Sequence, residues 1–84
     1  MFNNLNIYPN PTSGIFNISF VSEDENSFNL KILDSYGKII EIENKELFIG
    51  EFTKQVNLSE YPRGIYIVQI KTNDSFISKR IVLQ

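Results

Sequence analysis

The residues that most often carry out catalysis are missing from this sequence of 84 residues. It contains no histidine and no cysteine, which removes the commonest general base, the thiol nucleophile and most transition-metal ligands. Its one carboxylate cluster, Glu23, Asp24 and Glu25, is followed by Asn26. These neighbours lack the alternation of a loop that wraps oxygen atoms around calcium. We therefore predict a solvated turn at residues 22–27, and expect no catalysis, no metal and no cofactor.

Exposed aromatic side chains could stack on carbohydrate, and aromatic residues make up 13% of the chain. Most phenylalanines lie at the apolar positions of alternating segments, which favours packing in a core. Tyr36 and Tyr61 lie in predicted turns and are the only candidates for exposed platforms. The net charge is −2, and the cations are scattered apart from the pair Lys79-Arg80. Because nucleic-acid binding needs a basic stripe, we expect no nucleic-acid partner.

Apolar residues recur at every second position through most of the chain, which is the period of a β-strand. No stretch has the spacing of an amphipathic helix or the length of a transmembrane segment. We therefore predict an all-β fold, a seven-stranded antiparallel β-sandwich of immunoglobulin-like type. The strand GIYIVQI, apolar on both faces at its start, is expected to lie centrally. The predicted strands lie near 5–8, 15–21, 28–34, 37–43, 51–58, 64–72 and 75–83.

Residues that break regular structure are densest at residues 7–16, IYPNPTSGIF. Pro9 and Pro11 cannot lie inside a central strand because they lack a backbone donor. Asn10, Thr12 and Ser13 are expected to bond nearby backbone, and Gly14 permits a positive φ. This stretch predicts a rigid, extended entry into the strand that begins near Ile15. DSYGK (34–38) predicts a hairpin with Gly37 in a left-handed bulge, SEYPRG (59–64) a corner, and TNDS (72–75) a tight turn.

The chain ends with a basic pair, Lys79-Arg80, followed by IVLQ. The pair could protect an edge strand against aggregation, or it could be read by a partner as charge. Ile77, Ile81 and Leu83 are predicted to line one face of this last strand and close the core. The residues themselves leave these alternatives open.

Four segments in this order resemble the C-terminal sorting domain of cargo proteins of type IX (Por) secretion, type A family, in Gram-negative bacteria. They are YPNPTSG (8–14), DSYGKII (34–40), LSEYPRGIYIVQI (58–70) and SKRIVLQ (78–84). Gln84 departs from the basic or apolar residue that ends many members. The positions that match the sorting motifs of the family are Pro9, Asn10, Pro11, Gly14, Gly64, Tyr66, Lys79 and Arg80.

The resemblance implies a non-catalytic address tag, with residues 1–7 forming the cleavage border to a cargo domain and residues 8–84 the sorting domain. The implied partners are the outer-membrane translocon, its shuttle and a sortase-like cysteine protease. The implied location is the periplasm in transit, then the medium or the cell surface. Residues 1–11 do not have the pattern of a signal peptide. Two other functions stay open: a carbohydrate- or surface-binding module of a secreted enzyme, and an immunoglobulin-like spacer.

Overall fold

The computed structural model of the protein describes residues 2–84, with side chains from Asn4 onward. These residues form antiparallel strands, which confirms the predicted all-β class, and they include no helix that could cross a membrane. The strands are β1 (Phe2–Tyr8), β2 (Ile15–Asp34), β3 (Ile39–Asn57), β4 (Gly64–Lys71) and β5 (Phe76–Leu83).

The long strand β2 organises the sheet, because it pairs with three neighbours. Its first half pairs with β1, with Ile7 opposite Ile18, and its second half pairs with β4, with Val68 opposite Ile32. β3 pairs along both halves of β2. The path β1-β2-β4-β5 places β4 between β2 and β5. The predicted central position of GIYIVQI is therefore confirmed.

The structure has five strands among residues 2–84, so the predicted number of seven is wrong. Segments 15–21 and 28–34 are both parts of β2, and segments 37–43 and 51–58 both lie largely in β3. The predicted turn at residues 22–27 is also wrong, because pairing between β2 and β3 resumes across it with shifts of register. Glu23, Asp24 and Glu25 are exposed, which a bent strand permits as readily as a turn.

Both long strands bend, which brings distant side chains together. The rings of Phe20 and Phe28 have centroids 5.2 Å apart, although eight residues of straight strand would span about 26 Å. β3 bends where Leu47 and Gly50 have φ values of 52° and 107°. This bend lets Lys54 Nζ lie 2.7 Å from a carboxylate oxygen of Glu41 on the same strand.

The bent strands enclose one hydrophobic core, and its members come from every second position as predicted. Phe76 is an exception to the predicted burial of phenylalanines, because it is 60% exposed on the edge strand β5. The core consists of Phe16, Ile18, Phe20, Phe28, Leu30, Ile32, Phe52, Val56, Leu58, Tyr66, Val68, Ile70, Ile81 and Leu83.

The predicted turns outside the bends are confirmed. In the hairpin between β2 and β3, Gly37 has a φ of 87°, and its N–H donates to the carbonyl oxygen of Asp34 at 3.0 Å. The turn between β4 and β5 is closed by the Thr72 N–H, which donates to the carbonyl oxygen of Ser75 at 2.9 Å. The second of these turns fixes the register between β4 and β5, which carry the second half of the motif residues.

Candidate functional site

The side chain of Asn10 connects the beginning of the domain to its end. Its Nδ2 donates to the carbonyl oxygen of Arg80 at 2.9 Å, and its Oδ1 accepts from the Val82 N–H at 3.1 Å. The amide thus takes the place that a peptide group of a neighbouring strand would occupy beside β5. The predicted local turn for Asn10 is wrong, because the edge of β5 offers an acceptor and a donor spaced for one side-chain amide.

Thr12 continues this connection through its backbone. Its N–H donates to the carbonyl oxygen of Val82 at 2.9 Å, and its carbonyl oxygen accepts from the Gln84 N–H at 2.8 Å. Thr12 thereby forms a parallel bridge with β5. We call the four hydrogen bonds from Asn10 and Thr12 to residues 80–84 the clasp. The clasp covers the edge of β5 from the carbonyl oxygen of Arg80 onward.

The Thr12 side chain makes the local turn that the sequence predicts. It is 1% exposed; its Oγ1 donates to the carbonyl oxygen of Ile15 at 2.8 Å and accepts from the Gly14 N–H at 3.1 Å. This satisfies a buried hydroxyl that would otherwise be costly. The hydroxyl also turns the chain from the clasp into β2.

Gly14 is needed because two segments approach closely at this position. Its carbonyl oxygen accepts from the Leu58 N–H at 2.8 Å, and a Cβ on Gly14 would lie 2.6 Å from Ser59 Oγ. Any larger residue would therefore push against the corner that follows β3. The prolines on both sides of Asn10 are exposed and follow cis peptide bonds.

Gly64 and Tyr66 form the other side of the site. Gly64 has a φ of 146°, which disfavours a side chain although a Cβ there would contact no atom within 4 Å. The Tyr66 ring is buried, and its hydroxyl donates to the carbonyl oxygen of Pro62, four residues earlier. Such a hydroxyl-to-backbone bond is the feature called a tyrosine corner in β-sandwich domains.

Replacing Tyr66 by phenylalanine is expected to lower the free energy of unfolding by about 1 kcal/mol at neutral pH, because the hydrogen bond to Pro62 is lost. Burial, then the charge of Asp34 and the interaction with Tyr61, raise the pKa of the Tyr66 hydroxyl above its usual 10.0. A raised pKa favours the protonated folded state, so this contribution is complete below pH 10 and is lost as the pH rises further.

The difference between the wild-type protein and Tyr66→Phe should therefore shrink above about pH 10, as measured by urea unfolding. Tyr36→Phe is the matched control, because Tyr36 is 95% exposed. The free energy of unfolding of this variant should equal that of the wild-type protein throughout the pH series. Burial lowers the pKa of Lys54, but its hydrogen bonds to Glu41 and Glu43 and the charges of these carboxylates raise it overall. Because Lys54 is present in all three proteins, its titration does not affect the comparison. A difference that stays constant from neutral to alkaline pH would contradict the role of Tyr66.

The motif residues meet around the end of β5. Gly64 lies opposite Leu83, and Tyr66 lies opposite Ile81, so the corner flanks one edge of the tail while the clasp flanks the other. Ile81 and Leu83 are buried and Ile77 is half-buried, which confirms the predicted apolar face. The structure thus brings together three segments that are distant in the sequence: the segment with Asn10 and Thr12, the corner before β4, and the end of β5.

Lys79 and Arg80 are exposed on β5, and no carboxylate within residues 4–84 forms an ion pair with either. Beside them runs a groove of about 270 Å³ between β1 and β5, lined by both cations, by Asn10 and by apolar side chains of β1. Among the described residues no group of three carboxylates is placed to hold a metal ion.

Sequence reasoning missed the partners of the motif residues rather than the residues themselves. Ser59 limits the space at Gly14, and the backbone groups of Val82 and Gln84 receive the clasp. Backbone groups at a strand edge have no signature in the sequence. The only available signal was the density of hydrogen-bonding side chains near Asn10.

The described chain is a small all-β domain whose last strand is held between the clasp and a tyrosine corner. Residues 6–84 match the family model of the secretion system C-terminal sorting domain, so the chain belongs to this family. Comparison with curated proteins gives no match. The domain is therefore a C-terminal sorting signal of type IX secretion, joined to a cargo and recognised by the secretion machinery. The protein that carries it is secreted or attached to the cell surface.

Proposed function

We propose that residues 8–84 direct a cargo from the periplasm through the outer-membrane translocon, without catalysing a reaction, and that Lys79 and Arg80 are read as charges. The observation that carries this proposal is the position of the tail. The clasp and β4 hold β5 on both edges, while its two cations face solvent without an ion pair in the described part of the chain. A partner can therefore read these charges on a folded domain.

The fold that presents the tail is, we propose, an immunoglobulin-like sandwich. β1, the first half of β2 and the second half of β3 would form one layer, and the second half of β2, the first half of β3, β4 and β5 would form the other. The contact between Phe20 and Phe28 across the β2 bend supports two facing layers. The Cα atoms extend only 16 Å along the shortest axis, in keeping with two sheets packed about 10 Å apart. The tyrosine corner at Tyr66 supports the same assignment.

The proposed cleavage border lies in residues 1–7, where a sortase-like cysteine protease would separate the cargo from the tag. Pairing between β1 and β2 is interrupted between Asn3 and Asn6, and Asn4 has a φ of 58°. An irregular, edge-strand segment opens locally at less cost than a regular central strand. Local opening there would give the protease an extended chain.

An export assay tests the proposal. A fluorescent reporter with a periplasmic signal and residues 1–84 at its C-terminus is expected to leave cells that have the type IX machinery. Lys79→Ala combined with Arg80→Ala should strand it in the periplasm, because both charges are lost while the stability changes by less than about 0.5 kcal/mol. Secreted and periplasmic fluorescence measure the effect.

Lys38→Ala combined with Lys71→Ala is the matched control, because it removes the same charge from two exposed positions away from the tail. This control should be exported normally. Normal export of the Lys79/Arg80 variant would reduce the basic pair to edge protection. Retention of the unmodified fusion would refute the export proposal itself.

A second candidate function, binding of carbohydrate, is favoured by one observation. Tyr36, 95% exposed, and Tyr61, 41% exposed, line a cleft of about 400 Å³ together with Lys38 and Arg63. Aromatic faces beside cations suit a sugar ring with an acidic group. Retention of the domain on an acidic polysaccharide that is lost in Tyr36→Ala, with export unchanged, would establish this function separately.

A further inference from the structure

The edge of β5 is open along the stretch that precedes the clasp. Within residues 2–84, β5 pairs with β4 on one side and bridges only to Thr12 on the other, at Leu83. The clasp occupies the carbonyl oxygen of Arg80 and the groups that follow it. Among the described residues, no strand lies beside the stretch from Phe76 to Arg80 on that side.

The outward groups of this stretch follow from the alternation of a strand. The Arg80 carbonyl and the Val82 N–H both point away from β4, and in a strand every second residue directs its N–H and C=O to the same side. The Arg80 N–H and both backbone groups of Ser78 and Phe76 therefore point outward as well. They offer three donors and two acceptors to an additional strand.

The groove beside this edge separates two strands that do not pair, and it has an apolar wall. The Cα atoms of β1 and β5 lie more than 8 Å apart throughout the described residues, well beyond the roughly 4.7–4.9 Å that separates paired strands. Leu5 and Ile7 of β1 pack against the core and form an apolar wall. Lys79 and Arg80 stand at the mouth of the groove.

We propose that this edge, from Phe76 to Arg80, binds an extended strand of a partner protein that carries alternating apolar and carboxylate side chains. The apolar side chains would lie on the face of Leu5 and Ile7, and the carboxylates would lie on the opposite face beside Arg80, since side chains alternate along a strand. Pairing of this kind draws affinity from backbone hydrogen bonds and specificity from side chains. We take the partner protein to be a component of the secretion machinery, and this step rests on the proposed function. The docking edge itself does not rest on it.

The charges also decide against a second copy of this chain as the occupant. Two β5 edges that paired with each other would bring two Lys79-Arg80 pairs together, and like charges across a strand pair are destabilising. The same cations attract a strand with carboxylates. The basic pair thus disfavours pairing with a second β5 edge and favours a strand that carries carboxylates.

The test uses a synthetic peptide of four Val-Glu repeats with blocked ends, titrated into the labelled 84-residue protein and followed by amide NMR. The peptide is expected to shift the Ser78 and Arg80 amide signals and to slow their hydrogen exchange. Four Val-Lys repeats, and a block peptide with four valines followed by four glutamates, should have neither effect. Equal binding of the lysine peptide, or absence of any effect at Ser78 and Arg80, would overturn the proposal.

Ser78→Pro removes one outward N–H without touching the pairing with β4, and it is expected to weaken peptide binding at least about tenfold. Ser78→Ala keeps the N–H and should bind as the wild-type protein does. Should the proline variant fail to fold, a Val-Glu peptide methylated on every backbone nitrogen replaces it, and wild-type protein should not bind that peptide. Binding of the methylated peptide, or unchanged binding by folded Ser78→Pro, would overturn the proposal.

Three further outcomes separate the proposals. Dimerisation of the protein that Ser78→Pro abolishes would assign the edge to a second copy and contradict the partner strand. Peptide binding at Ser78 and Arg80 together with failed export of the reporter fusion would leave the docking edge standing and refute the export proposal. Normal export together with no peptide binding would support the export proposal and refute the docking edge.

Discussion

A chain that ends at Arg80 is expected to lose most of its folding stability and, with it, export. Deletion of residues 81–84 removes Ile81 and Leu83, which are 0% and 4% exposed in the core. Truncating one buried isoleucine or leucine typically costs about 2–5 kcal/mol. The deletion also removes three of the four clasp bonds, those made by Val82 and Gln84. A small domain has only about 5–15 kcal/mol of stability in total, so the truncated chain should be largely unfolded.

Thermal and urea unfolding followed by circular dichroism measure this effect. The matched comparison is the variant with Lys79→Ala and Arg80→Ala, which keeps Ile81 and Leu83 and should melt within a few degrees of the wild-type protein. If both variants strand the reporter but only the deletion melts early, the charges are read independently of the fold. A truncated chain with the wild-type melting temperature would show that the tail is not part of the core.

The core could be predicted from the sequence because burial follows strand parity. Phe16, Ile18 and Phe20 alternate with polar residues, as do Phe28, Leu30 and Ile32, and all six are buried. The short turns were predictable for a related reason, since Gly37 and the Thr72–Ser75 segment carry turn chemistry in adjacent residues. Each of these inferences depends on contacts that are local in sequence.

The continuity of the long strands was not predictable in the same way. The acidic stretch at residues 22–27 has the composition of a turn, but its backbone follows β3 across bulges instead of reversing. Composition reports that a segment is solvated, and both a turn and an exposed bend are solvated. Whether the chain reverses depends on where β3 lies, which is information from about 25 residues further along the chain.

The clasp shows the same limit for the functional site. The sequence singles out Asn10 and Arg80, yet the bond that joins them spans 70 residues. Local turn chemistry and the edge of β5 compete for the Asn10 amide, and the edge wins because it offers a donor and an acceptor at once. Thr12, by contrast, makes its local turn through its side chain and the clasp through its backbone, so both interactions coexist.

Phe28→Ala is expected to destabilise the domain by about 3–5 kcal/mol, the largest effect of any single substitution proposed for this chain. Phe28 is 3% exposed, and its ring packs against other aromatic rings across the bends of β2 and β3. The centroid of its ring lies 5.2 Å from that of Phe20, 5.1 Å from that of Phe52 and 5.7 Å from that of Phe48. A cavity at this position would remove the packing that closes both bends at once.

Phe76→Ala is the matched control, because it deletes the same side chain at a position that is 60% exposed. Its effect on the free energy of unfolding should stay within about 0.5 kcal/mol, as measured by urea denaturation of both variants. The reporter carrying Phe28→Ala should stay in the periplasm, since the clasp and the corner then no longer hold β5 in place. Equal stability of the two variants would mean that the bends close without the aromatic cluster. In that case the continuous strands themselves, rather than the rings between them, would hold the tail where the secretion machinery meets it.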